Sequence, residues 1–141
     1  MSQFRKLTAY YYTAIASVII AVATFTYNTW RLEVTESNNN IRTASFRILT
    51  ELAELEQHIY IAHYDQNPNE GSPRVGWVKV GLIHDLSSLV NKDVYNKTLE
   101  LKNYWAAHWQ KVSDDRGSVD NMVTHIDRVR ATVTATLQSL D

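Results

Sequence analysis

The sequence predicts an all-α protein, an N-terminal transmembrane helix followed by an antiparallel four-helix bundle. Three observations predict it. No charged residue occurs from Leu7 to Trp30, and about 24 helical residues rise about 36 Å, enough to cross a bilayer. Beyond that run, apolar residues return at spacings of three, four and seven, the period of a helix face. Both prolines and two of the four glycines fall within residues 65–76, so a single stretch carries most of the helix-breaking chemistry.

The apolar run carries amphipathic rings at both ends, Tyr10, Tyr11 and Tyr12 on one side and Phe25, Tyr27 and Trp30 on the other, as at two membrane interfaces. Ala21-Val22-Ala23 also fits a signal-peptide cleavage site. The uncharged run continues past Ala23, however, and a tyrosine triplet is an unusual start for a signal core, so an uncleaved signal-anchor is the preferred reading. Arg5 and Lys6 before the span nearly balance Arg31 and Arg42 after it. A very short basic N-terminus is readily held in the cytoplasm, whereas a long C-terminal domain is translocated largely regardless of charge. The expected topology is single-pass in a bacterial-type inner (plasma) membrane, N-terminus in and C-terminal domain out. Residues 1–6 are then a cytoplasmic tail, 7–30 the span, 31–40 a membrane-proximal joint or helix continuation, and 41–141 the bundle. Within the span, Ala9, Thr13, Ser17 and Ala21 repeat every fourth residue; small residues at that spacing allow close packing against a partner span or a second copy.

Composition excludes several classes. A formal net charge of −1 gives no reason to expect nucleic acid. Without cysteine there is no disulfide, thiolate metal site, cysteine nucleophile or attached c-type haem. About 110 residues after the span suffice for one core and not for two.

The first bundle helix is read from Ile41 to Ala62, with Ile41, Ile48, Leu52, Leu55, Ile59 and Ala62 along one seam and Phe46, Leu49, Ala53 and Tyr60 widening it. Arg47, Glu51, Glu54 and His58 are expected on the opposite, outward side. Ser37 to Asn40 is either a joint or an exposed turn of one continuous helix. After the loop at 65–76, Ser72 and Pro73 read as an N-cap and first helical residue. The second helix, to Val90, is apolar on a wide arc through Trp77, Val78, Leu82, Leu86 and Leu89; a strand competes over Val75 to Ile83, which is rich in valine and contains Gly81. Asn91-Lys92-Asp93 makes a corner, and a third helix runs through Val94, Thr98, Leu101, Trp105, His108 and Val112. Gly117 is placed to end it and Ser118 to cap a fourth, whose stripe is Val119, Met122, Ile126, Val129, Val133, Leu137 and Leu140.

Short connections pack four such helices antiparallel and return Asp141 towards the bilayer. This layout resembles, in architecture only, the extracytoplasmic part of chemoreceptors and membrane-bound sensor kinases, where a span leads into a four-helix bundle and a second span follows. The second span and the cytoplasmic signalling region of those proteins have no counterpart here, and no ligand residue is carried over from the resemblance.

No constellation of catalytic residues emerges. The residues three before the five histidines are Leu55, Tyr60, Gly81, Trp105 and Met122, which excludes the Glu-x-x-His pairs of di-iron bundles. Glu54 and His58 are half a zinc site at most. His108 sits on a seam where core packing outweighs haem ligation. Ser87 and Ser88 beside His84 and Asp85 lack a nucleophile elbow, and Gly71 to Gly76 is no phosphate loop. No catalytic, metal or cofactor residue is assigned, and the protein is not expected to be an enzyme. Arg74, Arg128 and Arg130 are read as solvated surface charges. The best lead is aromatic: Tyr104, Trp105, His108 and Trp109 on adjacent turns, with Trp77 on the preceding helix. Trp105 and His108 fit the core, leaving Trp77, Tyr104 and Trp109 as expected partner contacts. The expected function is that of a membrane-anchored accessory or scaffold protein, whose extracytoplasmic bundle docks onto another membrane protein. A small-ligand sensor that signals through a partner is the alternative.

Overall fold

The computed structural model describes residues 2–67 and 69–140, with side chains from Leu7 onwards. Arg5 and Lys6, on which the topology rests, and Asp141, expected near the bilayer, fall outside the described side chains. Among the described residues the regular structure is entirely helical: α1 (Ser2–Tyr60), a π-helical turn (Ile61–Asp65), α2 (Pro73–Ser87), α3 (Lys92–His108), a 3-10 turn (Trp109–Lys111) and α4 (Arg116–Gln138). The competing strand at Val75 to Ile83 is absent, since those residues lie within α2. The chain divides into two units, Met1–Asn38 and Asn39–Asp141.

The length of α1 follows from what its sequence lacks. Neither glycine nor proline precedes Pro68, so nothing interrupts the helical ladder, and Ser37 to Asn40 is a turn of one continuous helix. The π turn ends at Gln66, whose φ of 48° and ψ of 36° are left-handed. It is the one described non-glycine residue with positive φ, a conformation that costs an L side chain about 1–2 kcal/mol.

In the first unit every apolar side chain from Leu7 to Leu32 is exposed. Four of the hydroxyls in this stretch turn inward onto their own helix. Thr13 donates to the carbonyls of Ala9 and Tyr10, Ser17 to Thr13, Thr26 to Val22 and Thr29 to Phe25, all at 2.8–3.0 Å.

The second unit is built around one apolar core. Ile48, Leu52, Leu55 and Ile59 of α1 meet Val80 and Ile83 of α2, Leu101 and Trp105 of α3, and Met122, Ile126, Val129 and Val133 of α4. Burying each such aliphatic side chain contributes about 1.5–3 kcal/mol. Polar contacts fix the registers. Lys79 of α2 reaches Glu51 and Glu54 of α1, while Arg130 of α4 reaches Glu56 of α1 at 2.6 Å. Thr98 of α3 meets His84 of α2 and Tyr104 of α3 meets His125 of α4.

Several expectations need correction. α2 does not bury the face through Trp77, Val78, Leu82, Leu86 and Leu89; its buried residues are Gly76, Val80, Ile83, His84 and Ser87. The buried side is marked by small and polar residues because a tryptophan lies against Gly76 and a hydrogen-bond network accommodates His84 and Ser87. On α1, Glu51 and His58 are not outward but 3% and 6% exposed, since α2 covers that side and supplies Lys79 and the Ser72 carbonyl as partners. Phe46 and Tyr60 are exposed instead. Burial alone would lower the pKa of Lys79, but hydrogen bonds with Glu54 and Glu51 outweigh it and hold the ammonium above the usual lysine value.

The caps of α3 and α4 come from asparagine and aspartate. Asn91 accepts from the Val94 N–H at 2.9 Å. α3 stops at His108, a turn before Val112, and passes into the 3-10 turn. Gly117 does not end α3 and Ser118 does not cap α4. Asp115 is the N-cap, accepting from the N–H groups of Gly117 and Ser118, because its carboxylate reaches both donors from one residue before the helix.

Inside the core, His84, Ser87 and Thr98 bond to one another. Ser87 donates to the His84 carbonyl and Thr98 to the Ser87 hydroxyl, and His84 Nδ1 lies 3.0 Å from Thr98 Oγ1. The sense of donation that satisfies every oxygen puts the proton on Nδ1. Burial, then the charge of Lys102, holds the His84 pKa below the usual histidine value, with Asp85 opposing. His125 is lowered by burial and then by Arg128.

Two predictions follow from these contacts. A Cβ on Gly76 would lie 2.2 Å from two ring carbons of Trp105, whereas one on Gly81 meets nothing within 4 Å. Gly76→Ala should therefore cost about 1–3 kcal/mol, and Gly81→Ala should gain up to about 1 kcal/mol from helix propensity. Denaturant unfolding of the full chain checks both, and equal effects would refute the close approach. The second prediction concerns acid. Both histidines bind protons more readily unfolded than folded, so their contribution is complete above the unfolded value near 6.5 and is lost as pH falls through the lower folded values. Melting temperature should drop between about pH 7.5 and about pH 5, and the paired change His84→Gln, His125→Gln should flatten that slope.

Candidate functional site

At one end of the second unit, the end of α1, the start of α2 and the turn after α3 line a partly open cavity of about 190 Å³. Most of its wall is apolar: Ile59, Ala62, Pro73, Trp105, Trp109 and Val112. His58, Gln110 and Ser113 add polar groups, and the lining contains no lysine, arginine, aspartate or glutamate.

Each wall is fixed by a local interaction. His58 Nε2 lies 2.7 Å from the Ser72 carbonyl. A carbonyl only accepts, so Nε2 carries a proton and donates it. Ser72 is the extended N-cap of α2, yet its hydroxyl makes no cap bond; its carbonyl serves both His58 and the Val75 N–H. Across the cavity, His63 Nδ1 lies 3.0 and 3.1 Å from the carbonyls of Val112 and Ser113, which fastens the turn after α3 to the end of α1. The loop closes by the Asn67 turn: its side chain accepts from the N–H groups of Asn69 and Glu70, and its carbonyl from Gly71.

Trp105 is the central wall. It is 2% exposed, with its six-membered ring against Gly76 and with Trp77 edge-on at 6.4 Å. Its Nε1–H is buried without a hydrogen-bond partner. Leaving such a donor unpaired costs about 1–3 kcal/mol.

The three aromatic residues expected at a partner surface do not share one environment. Trp77 is 39% exposed and braces Trp105. Tyr104 is half-buried, stacked between His108 at 4.0 Å and His125 at 4.7 Å. Trp109 packs against the core and lines the cavity. Ala9, Thr13, Ser17 and Ala21 are exposed on α1, with the Thr13 and Ser17 hydroxyls bonded back to their own helix. Glu54 and His58 are drawn apart in function, one to Lys79 and the other to Ser72. Arg130 is occupied by Glu56 and Asp127. Among the described residues no three histidine, aspartate or glutamate side chains gather as a metal site.

Sequence reasoning missed the cavity because it placed His58 outward and Trp105 in a filled core. The signal that marks it is the pair Gly71 and Gly76 flanking the start of α2. A Cβ at Gly71 would lie 2.6 Å from Ala62 Cα and 2.9 Å from the Asn67 carbonyl oxygen. Both neighbours are backbone, so Gly71→Ala should lower stability by at least about 1 kcal/mol, while Asn69→Ala should fall within about 0.5 kcal/mol of the parent. Thermal unfolding of the two variants checks this.

Comparison with protein families, with characterised proteins and with solved structures finds no match to this chain.

Proposed function

We propose that the protein is a membrane-anchored accessory or scaffold subunit, inserted through Leu7–Trp30 with its helical domain outside, and that the domain is an antiparallel four-helix bundle docking onto another membrane protein. The observation that carries the anchor is the wholly exposed apolar surface of a helix long enough to span a bilayer. The hydroxyls of Thr13, Ser17, Thr26 and Thr29, satisfied by the helix's own carbonyls, suit a medium with no water to bond. Contacts that join the start of one helix to the end of another support the bundle: Arg42 of α1 donates to the Leu140 carbonyl after α4, and Asn91 at the start of α3 donates to Thr136 near the end of α4. The docking face is the outward side of α2, where Val78 is 69% exposed beside Trp77, Val75 and Leu82. A partner fixed in the same membrane meets that face at high local concentration. Tyr104 and Trp109, half-buried, present only their free edges to such a partner. A second reading, an extracytoplasmic small-ligand sensor that signals through a partner, draws on the cavity beside Trp105.

Topology is tested by fusing alkaline phosphatase and green fluorescent protein separately to the C-terminus. An active phosphatase and a dark fluorescent fusion are expected; the reverse overturns the orientation. Docking is tested by extraction in mild detergent. The parent should migrate in a complex with a second membrane protein, and Val78→Asp should weaken that complex at least about tenfold, the scale of an interface hot spot, with melting within a few degrees of the parent. A complex made only of copies of this chain, or one that Val78→Asp leaves intact, counts against the proposal.

A further inference from the structure

We infer that the open groove between the end of α1 and the start of α4 binds a small organic cation with an apolar shell, of the alkylated ammonium class. The groove has a volume of about 780 Å³, the size of a ligand cleft. Tyr60 and Tyr64 line it, with ring centroids 5.9 Å apart and planes inclined by 49°. Tyr64 is 59% exposed, so much of its π surface is uncovered. Ile61 and Val123 add aliphatic surface beside the rings. The face of a tyrosine attracts cations, and quaternary ammonium groups are the ligands that use this attraction most.

The charge of the groove selects the same class. Its lining holds three carboxylates, Glu56, Asp65 and Asp120, and no lysine or arginine. Glu56 is already committed, since it accepts from the Tyr60 hydroxyl and pairs with Arg130 at 2.6 Å; the first of these bonds also holds the Tyr60 ring in place. Asp120 is paired only with Arg116, at 3.8 Å and with both side chains largely exposed. Asp65 has no ion pair among the described residues. The three carboxylates do not gather as a metal site, so the negative charge is spread along the groove. A metal ion requires oxygens at about 2.0–2.6 Å, which spread carboxylates do not supply. An ammonium group wrapped in alkyl carbons is served by charge at a distance and gains from the rings and the aliphatic wall. An anion meets no cationic side chain in the lining. The groove involves α1 and α4, whereas the proposed docking face lies on α2, so this inference goes beyond that reading and stands or falls separately from it.

Choline and 3,3-dimethyl-1-butanol test the inference, because they share a shape and differ in a quaternary nitrogen against a quaternary carbon. The full chain is labelled with ¹³C at isoleucine and valine methyls and held in maltoside micelles, which carry no ammonium group. Ile61 and Val123 report on the groove, assigned from Ile61→Val and Val123→Ile, and Val80, buried on α2, is the control. Choline chloride should shift the two groove signals saturably and leave Val80 unmoved, with an apparent Kd at least about tenfold tighter than that of the neutral analogue. Tyr64→Leu keeps an apolar side chain but removes the ring. That variant and Asp65→Asn should each raise the choline Kd at least about threefold, with melting within a few degrees of the parent because both side chains are exposed. The inference is overturned if choline gives no saturable shift, if the neutral analogue acts equally, if potassium chloride at the same concentration gives the same shifts, or if either folded variant binds choline as tightly as the parent. Should Tyr64→Leu fail to fold, Asp65→Asn and the parent's preference for choline over the neutral analogue decide.

Discussion

The contact between Gly76 and Trp105 sets the placement of everything around it. Trp105 is the largest fully buried side chain of the core, and its ring occupies the space where any other residue at position 76 would put a Cβ. The first turn of α2 can therefore lie directly on α3, which brings Trp77 edge-on to the same indole and sets the Ser72 carbonyl against His58. An indole held this tightly has few orientations. Its Nε1–H is left in surroundings that offer no acceptor. The ring carbons that meet Gly76 include Cε2 and Cζ2, on the same edge as Nε1, so the close packing and the unmet donor are two results of the same constraint.

The same approach of α2 decides which charges are buried. Once α2 covers the second side of α1, Glu51 has to be compensated, and it is held by Arg47 at 2.6 Å and Lys79 at 3.1 Å. A carboxylate buried alone costs several kcal/mol, whereas one with two cationic partners is tolerated. Lys79 in turn is shared with Glu54 near the surface. The three side chains act as a register pin between α1 and α2, because sliding either helix by one turn would strand Glu51 without its ammonium.

How much of this was legible in the sequence depends on whether a position is marked by hydrophobicity. The seams of α1, α3 and α4 are: Ile48, Leu52, Leu55 and Ile59, then Leu101 and Trp105, then Val119 through Val133 are buried as their spacing requires. The start of α2 at Pro73 was equally legible, since proline suits a first helical position. The face of α2 was not. Beside Val80 and Ile83 its buried side carries a glycine, a histidine and a serine, while Val75, Val78 and Leu89 are exposed, so a count of apolar residues points to the wrong arc. The caps show the same limit. Asp115 and Ser118 are both good N-cap residues, and only the geometry of the turn after α3 chooses the aspartate. Of the candidate site, Trp109 was singled out for its aromatic bulk and His58 for its spacing from Glu54, but their convergence depends on a loop whose closure no periodicity records.

The cavity survives because its filling would have to come from positions already committed to something else. Gly71 has Ala62 backbone within 2.6 Å of any added Cβ, so the loop cannot send a side chain inward without lifting off α1. Val112 and Ser113 are held by their carbonyls to His63, which fixes the opposite rim. Pro73 is tied to its place by the start of α2. The remaining wall, Ala62, abuts the loop as well, since its Cβ lies 2.9 Å from where a Gly71 Cβ would stand. Interiors that lack a reason for empty space are packed to crystal-like density. At this end of the domain the space stays open because the loop, the turn after α3 and the start of α2 are each held in place by backbone contacts.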